Sequence, residues 1–234
     1  MTKMTVTEKD YKESNLEYVI ISLGELFRHT DSTALLQRSG SRSVLTVTFP
    51  ERYKDIINAE ISDKLAEVIA INYKYDFFMK EVKIAGLNGV ENEILMASLI
   101  AADLYEDKRY AFDKLKGNDE LAIDGTFNFR MQPLKRKWSD VVSYMPSSFV
   151  NSQLKDFIGY LLENKKKRIY IDDQKVYDSH YRRLKRCDLL GGDRVNIVRE
   201  ALLSNCGEIE ISGKIPEDDE RYLKEFYGDK IYFS

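Results

Sequence analysis

The chain has 234 residues, 43% of them hydrophobic and 32% charged, with 36 basic and 39 acidic side chains and a formal net charge of −3. A chain of this length and composition buries a core without disulfides or metals, and four prolines and twelve glycines argue against long disordered or low-complexity stretches. Residues 1–15 are polar and carry no apolar signal core, no apolar run is long enough to span a bilayer, and two cysteines argue against a disulfide framework. These features predict a cytoplasmic protein without a transmembrane segment, with Cys187 and Cys206 reduced and partly buried.

Taken in chain order, residues 1–15 form a polar leader. Residues 16–23 (LEYVIISL) are rich in β-branched and aromatic side chains and read as a strand or the start of a short helix, with a helix continuing to Arg38. Ser39-Gly40-Ser41 marks a turn, and the alternation in residues 43–49 (SVLTVTF) predicts a half-buried strand closed by Pro50. From Ile61 the apolar positions Leu65, Val68, Ile69, Tyr75, Phe78 and Val82 recur at gaps of mostly three and four, which predicts one long helix ended by Gly86 and Gly89. A second helical pattern follows over residues 90–112, and the two together predict an antiparallel helical hairpin.

Past Gly117-Asn118-Asp119, residues 121–127 read as extended, and helices are predicted over 129–144, starting near Pro133, and over 152–164. Residues 168–171 predict a strand, Asp172-Asp173-Gln174 a turn, and Val176 and Tyr177 a second strand. Gly191-Gly192-Asp193 precedes a short helix through Leu203, with Asp193 as its N-cap, or else a backbone cradle for an anion. Residues 208–212 (EIEIS), 216–227 and 230–233 (KIYF) read as strand, helix, strand, a βαβ crossover. The expected fold is mixed α/β (α+β), a central helical region with small β elements in the N-terminal and C-terminal parts. Its organisation reads as a leader 1–15, a segment 16–120 and a segment 121–234, the last two possible as one continuous domain.

The segment Ala122-Ile-Asp-Gly-Thr-Phe-Asn-Phe-Arg-Met131 resembles the Gly-x-x-x-Phe-Arg-Leu segment of the YtxC-like sporulation proteins of spore-forming Firmicutes. The helix containing Leu65-Ala66-Glu67-Val68-Ile69-Ala70 before it, and the stretch from Val195-Asn196 through Leu202-Leu203 to Glu208-Ile209-Glu210-Ile211 after it, are similar in order, so the resemblance runs over residues 60–234. It implies a sporulation-associated cytoplasmic protein and brings no catalytic residues with it.

Charge is unevenly spread. Residues 130–186 hold fourteen basic against six acidic side chains, so the rest of the chain is strongly acidic. Three clusters carry the excess: Lys135-Arg136-Lys137, Lys165-Lys166-Lys167-Arg168, and Arg182-Arg183-Leu184-Lys185-Arg186. Trp138, Tyr144, Phe157, Tyr160, Tyr170, Tyr177 and Tyr181 lie among them, and cations interleaved with rings suit nucleic acid, whose phosphates pair with the one and whose bases stack on the other. The plainer reading is a solvated face, with Lys165, Lys166 and Lys167 complementing a helix C-terminus. A second candidate is Asp124, Phe127, Phe129 and Arg130. An acid and an arginine framing two aromatics suit a partner-binding surface anchored on Arg130, or else two core phenylalanines with Arg130 paired to a carboxylate.

No cofactor or metal signature is present. His29 and His180 stand far apart, and no nucleophile elbow, Walker A loop or dinucleotide fingerprint occurs. Glu217-Asp218-Asp219-Glu220 after Pro216 is the composition of a helix N-terminus. The leading expectation is therefore a non-enzymatic interaction or assembly protein with a protein partner or self-association. Nucleic-acid binding through residues 130–186 comes second, and an enzyme whose groups converge from distant positions third.

Overall fold

The computed structural model describes residues 1–234 and is mixed α/β. Strand β1 (Thr2–Lys9) leads through a 3-10 turn into helix α1 (Glu13–His29), and strands β2 (Thr33–Ser39) and β3 (Arg42–Phe49) follow as a hairpin. Helix α2 (Lys54–Val68), a π-helical turn (Ile69–Tyr73) and α3 (Lys74–Glu81) form the next helical stretch, and α4 (Gly89–Leu115) comes after a short loop. Strand β4 (Glu120–Ala122), α5 (Ile123–Arg130), α6 (Gln132–Ser143) and α7 (Asn151–Leu162) complete the middle of the chain. The remainder is β5 (Arg168–Asp172), β6 (Lys175–Tyr177), β7 (Arg183–Leu184), α8 (Asn196–Ser204), β8 (Glu208–Ser212), α9 (Glu217–Tyr227) and β9 (Ile231–Phe233).

The residues read as a polar leader contain the central strand of the first sheet. Met4 and Val6 alternate inward as a half-buried strand requires, but the third inward position is Glu8, wholly buried, so the pattern breaks where hydropathy is expected to continue it. Residues 16–23 are helical: Leu16, Val19, Leu23 and Phe27 are buried at helical spacing, and that period outweighs the local β-branched content. The helix predicted to continue to Arg38 stops at His29, and β2 occupies the rest. The extended reading of residues 121–127 holds only to Ala122, where α5 starts. The helix expected from Ile61 through Val82 is interrupted by the π turn, whose extra residue rotates the following face and helps bury Tyr73 and Lys74.

The chain forms two compact units that interleave along the sequence: Met1–Lys74 with Tyr105–Asp140, and Tyr75–Leu104 with Val141–Ser234. The π turn lies just before the first crossing, and α4 has a non-helical residue, Asp103 (φ −132°, ψ 22°), beside the second.

The first unit contains a sheet of order β2-β3-β1-β4, with β1 antiparallel to β3 and parallel to β4. β1, α1, β2 and β3 make a split βαβ arrangement, because β3 pairs antiparallel with both β1 and β2 and separates them. In register, Met4 faces Val47, Val6 faces Leu45 and Glu8 faces Ser43, all on the buried side. Lys74 and Asp107, both fully buried, pair at 2.8 Å, and Trp138 Nε1 donates to the same Asp107 oxygen at 2.8 Å.

The second unit contains a sheet of order β7-β6-β5-β8-β9. β5, β8 and β9 are parallel, with α9 between β8 and β9 as the strand-helix-strand reading predicts, and β6 and β7 extend the sheet antiparallel. Ile169, Ile171, Val176, Ile209 and Ile211 are buried on one face together with Val198, Leu202 and Leu223 of the helices. Asp193 does not cap α8. Val195 stands at the N-cap with φ +45°, and Asp219 of α9 supplies the acceptor, taking the Val198 N–H at 2.9 Å. The acidic run after Pro216 does occupy the first turn of α9, and burial raises the pKa of Asp219 against the bonds it accepts.

Candidate nucleic-acid interface

The alternation in RIYID and EIEIS decides what the second sheet offers outward. With the isoleucines and Val176 turned to the core, the residues between them occupy the opposite face. Register then lines up Arg183, Tyr177, Tyr170, Glu210 and Tyr232 across all five strands, β7 to β9. A neighbouring row holds Lys175, Asp172 and Ser212, all exposed, and Arg168 lies opposite Glu208.

Arg168 organises the centre of this face. Its Nε and Nη2 reach Glu208 Oε2 at 2.9 and 2.6 Å, Nη1 reaches Glu210 Oε2 at 3.4 Å, and the guanidinium lies 4.9 Å from the centroid of the Tyr232 ring. One guanidinium thus offsets two carboxylates and backs an aromatic ring. Tyr181 stacks on Tyr170 with centroids 4.9 Å apart and planes 22° apart, and remains 71% exposed. It reaches this position from the β6–β7 loop, where its φ is +56°. Asp178 holds the loop: its Oδ1 accepts the His180 and Arg182 N–H groups at 2.8 and 3.0 Å, and Arg182 Nε donates to Oδ2 at 2.8 Å. Partial burial pushes the Asp178 pKa up, but these donors prevail and hold it below the ordinary carboxylate value.

The residues of the basic segment separate into two groups. Lys135, Arg136 and Lys137 belong to the first unit, where Lys137 pairs with Asp107 at 2.7 Å and Lys135 lies over the Phe127 ring and bonds Asn128 Oδ1. Arg136 is exposed without an ion pair. In the second unit Arg168 and Arg182 are engaged as above, and Arg186 Nη1 donates to Leu203 O. Lys165, Lys166 and Lys167 follow the end of α7 rather than forming its last turn, and they make no ion pair; neither do Lys175, Arg183 and Lys185. Gly207 fixes the 165–167 loop: its N–H and that of Glu208 both donate to Lys167 O, and a Cβ at Gly207 would stand 2.0 Å from Lys165 O.

Asp124, Phe127, Phe129 and Arg130 do not share a surface. Asp124 is buried and forms a two-pronged pair with Arg42 at 2.9 and 3.0 Å, and Phe127 is core, edge-on to Tyr73 and stacked on Trp138. Phe129 is 85% exposed and Arg130 is exposed with no carboxylate partner, so neither pins the segment. Compared with protein-family models, with curated proteins and with solved structures, the chain matches none.

Other concentrations of chemistry are built into the cores. Glu8 accepts from Tyr73 OH at 2.7 Å, from Lys9 N at 2.8 Å and from Asn15 Nδ2 at 3.4 Å; burial nevertheless raises its pKa, and burial beside Glu8 drives the Tyr73 hydroxyl far up. Both thiols are shifted away from reactivity: burial pushes Cys206 up to about 12, and burial with Glu200 and Asp188 nearby raises Cys187 still further. His29 and His180 are exposed. No helix is long and apolar enough to cross a membrane.

Tyr170, Tyr177 and Tyr181 are among the rings that sequence reading placed within the basic segment. Tyr232 and Lys175 were not singled out. Their signal is the two-residue period of β5, β6 and β9, which becomes a common face only once the strand order is known.

Proposed function

We propose that this protein binds single-stranded nucleic acid on the open face of its second sheet. The observation that carries the reading is the row that places Tyr177 and Tyr170 on neighbouring strands β6 and β5 and Tyr232 on β9, beyond Glu210 of β8, extended by the exposed Tyr181 ring and bordered by the unpaired cations Lys175 and Arg183. Rings on a solvent-facing sheet accept unpaired bases, each stack contributing roughly 1–3 kcal/mol, while lysine and arginine at the margin take the phosphates. Glu208 and Glu210 would repel phosphate if left alone, but Arg168 is bonded to both. A duplex keeps its bases stacked inside and offers these rings nothing, so the selectivity is for single strands.

The test is anisotropy of labelled single-stranded and duplex DNA and RNA over a salt series. Single strands are expected to bind with affinity that falls as salt rises, and Tyr170→Ala and Tyr181→Ala each to weaken binding about tenfold or more. Duplex binding as tight as single-strand binding, or affinity indifferent to both substitutions, would overturn the reading.

A further inference from the structure

We infer that the cleft between the β6–β7 hairpin and α8 takes a phosphomonoester, the terminal phosphate of a strand lying on the sheet; this rests on the single-strand reading above. The cleft has a volume of about 130 Å³ and a floor of Val176, Leu184 and Ile197. Three cations line it, Lys175, Arg183 and Lys185, and none has a carboxylate within ion-pair distance. The pattern within the run 182–186 is selective. Arg182 is tied to Asp178 and Arg186 to the Leu203 carbonyl, whereas Arg183 and Lys185, the two left without partners, both border the cleft.

Two carboxylates, Asp188 and Glu200, also border it, and Oε2 of Glu200 is occupied by the Cys187 N–H at 2.8 Å. Three cations against two acids leave the cleft positive, and Arg183 offers the planar fork that matches two phosphate oxygens. A terminal monoester carries more charge than the internal diesters and gains more from three cations. Position fits as well: Arg183 and Lys175 belong to the outward rows that contain or adjoin Tyr177 and also line the cleft on the α8 side, so a strand end that leaves the tyrosines and rounds the β7 edge reaches it.

Three labelled single strands of one sequence, bearing a 5′-phosphate, a 3′-phosphate or neither, are compared by anisotropy at constant ionic strength. One phosphorylated strand is expected to bind about tenfold tighter than the unphosphorylated one, inorganic phosphate to compete that advantage away, and Lys185→Gln or Arg183→Gln to bring the ratio towards one. Circular dichroism checks that the variants fold. Equal affinity for the three strands, or a ratio untouched by both substitutions, overturns the phosphate cleft and leaves the stacking face standing. If no strand binds, the stacking reading falls, and amide shifts on adding inorganic phosphate alone decide the cleft. Shifts confined to residues 174–176 and 183–188 support a free phosphate ester as its ligand, and no shift overturns it.

Discussion

Gly207 stands where two backbones meet. Its N–H and that of Glu208 converge on Lys167 O, and the backbone of Lys165 leaves no room for a side chain, since a Cβ there would lie 2.0 Å from a carbonyl oxygen. The contact is with backbone rather than with a flexible side-chain tip, so it cannot be relieved by a rotamer change. Gly207→Ala is therefore expected to destabilise the fold by about 1–3 kcal/mol, read as a lower urea midpoint, and to displace the 165–167 loop. Glu8 acts on stability through its proton. Its folded pKa lies above 4.5, so above that pH the folded chain holds a proton that the unfolded chain has lost, and stability falls with rising pH until the folded pKa is passed. Half-buried Glu13, bonded to Arg38 and Ser43 and lowered to about 2, has the opposite sign: its contribution is present above 4.5 and lost as pH falls through about 2. Glu8→Gln keeps an acceptor for Tyr73 and removes only the first dependence. The variant should gain on the parent protein from about pH 4.5 upward, and urea midpoints that track each other across that range would contradict this account.

Among the elements, α4 shows how a local signal fixes an end. Asn88 Oδ1 accepts the Glu91 N–H at 2.9 Å and Glu91 Oε2 accepts the Asn88 N–H at 2.9 Å, a reciprocal capping box. Asn88→Ala should cost about 0.5–2 kcal/mol in denaturant unfolding, and Asn88→Ser should recover most of it. This start is readable in Asn88-Gly-Val-Glu91, three residues apart. The start of α8 is not, because its acceptor comes from Asp219, more than twenty residues away on another helix. The same contrast separates β3, whose inward side is apolar from Leu45 through Val47 to Phe49, from β1, whose inward side ends on a charge. The helix from Ile61 shows a further case. Its period is correct on each side of the π turn, and only the inserted residue, invisible to spacing arguments that tolerate gaps of three and four, brings Lys74 inward to Asp107.

For the chain as a unit of function, the sequence already held the mixed α/β class, the β3 strand, the α4 and α7 helices, the βαβ crossover at the C-terminus and the excess of positive charge over residues 130–186. Each depends on patterns within about a dozen neighbouring residues: period, turn chemistry and composition. The candidate site was legible as ingredients, basic clusters with tyrosines among them, and not as a surface. Pairing decides which cations remain available: Lys137 is taken by Asp107, Arg182 by Asp178 and Arg168 by Glu208, and these partners lie between four and forty residues away. Strand order decides which rings meet, since Tyr170 and Tyr232 share a face only because β8 lies between β5 and β9. The interleaving of the two units decides that Lys135 and Lys165 fall in different ones. Short-range patterns are written by steric and solvation preferences that act residue by residue, whereas a binding face is a sum of long-range pairings, settled when distant segments compete to bury apolar surface and satisfy their charges.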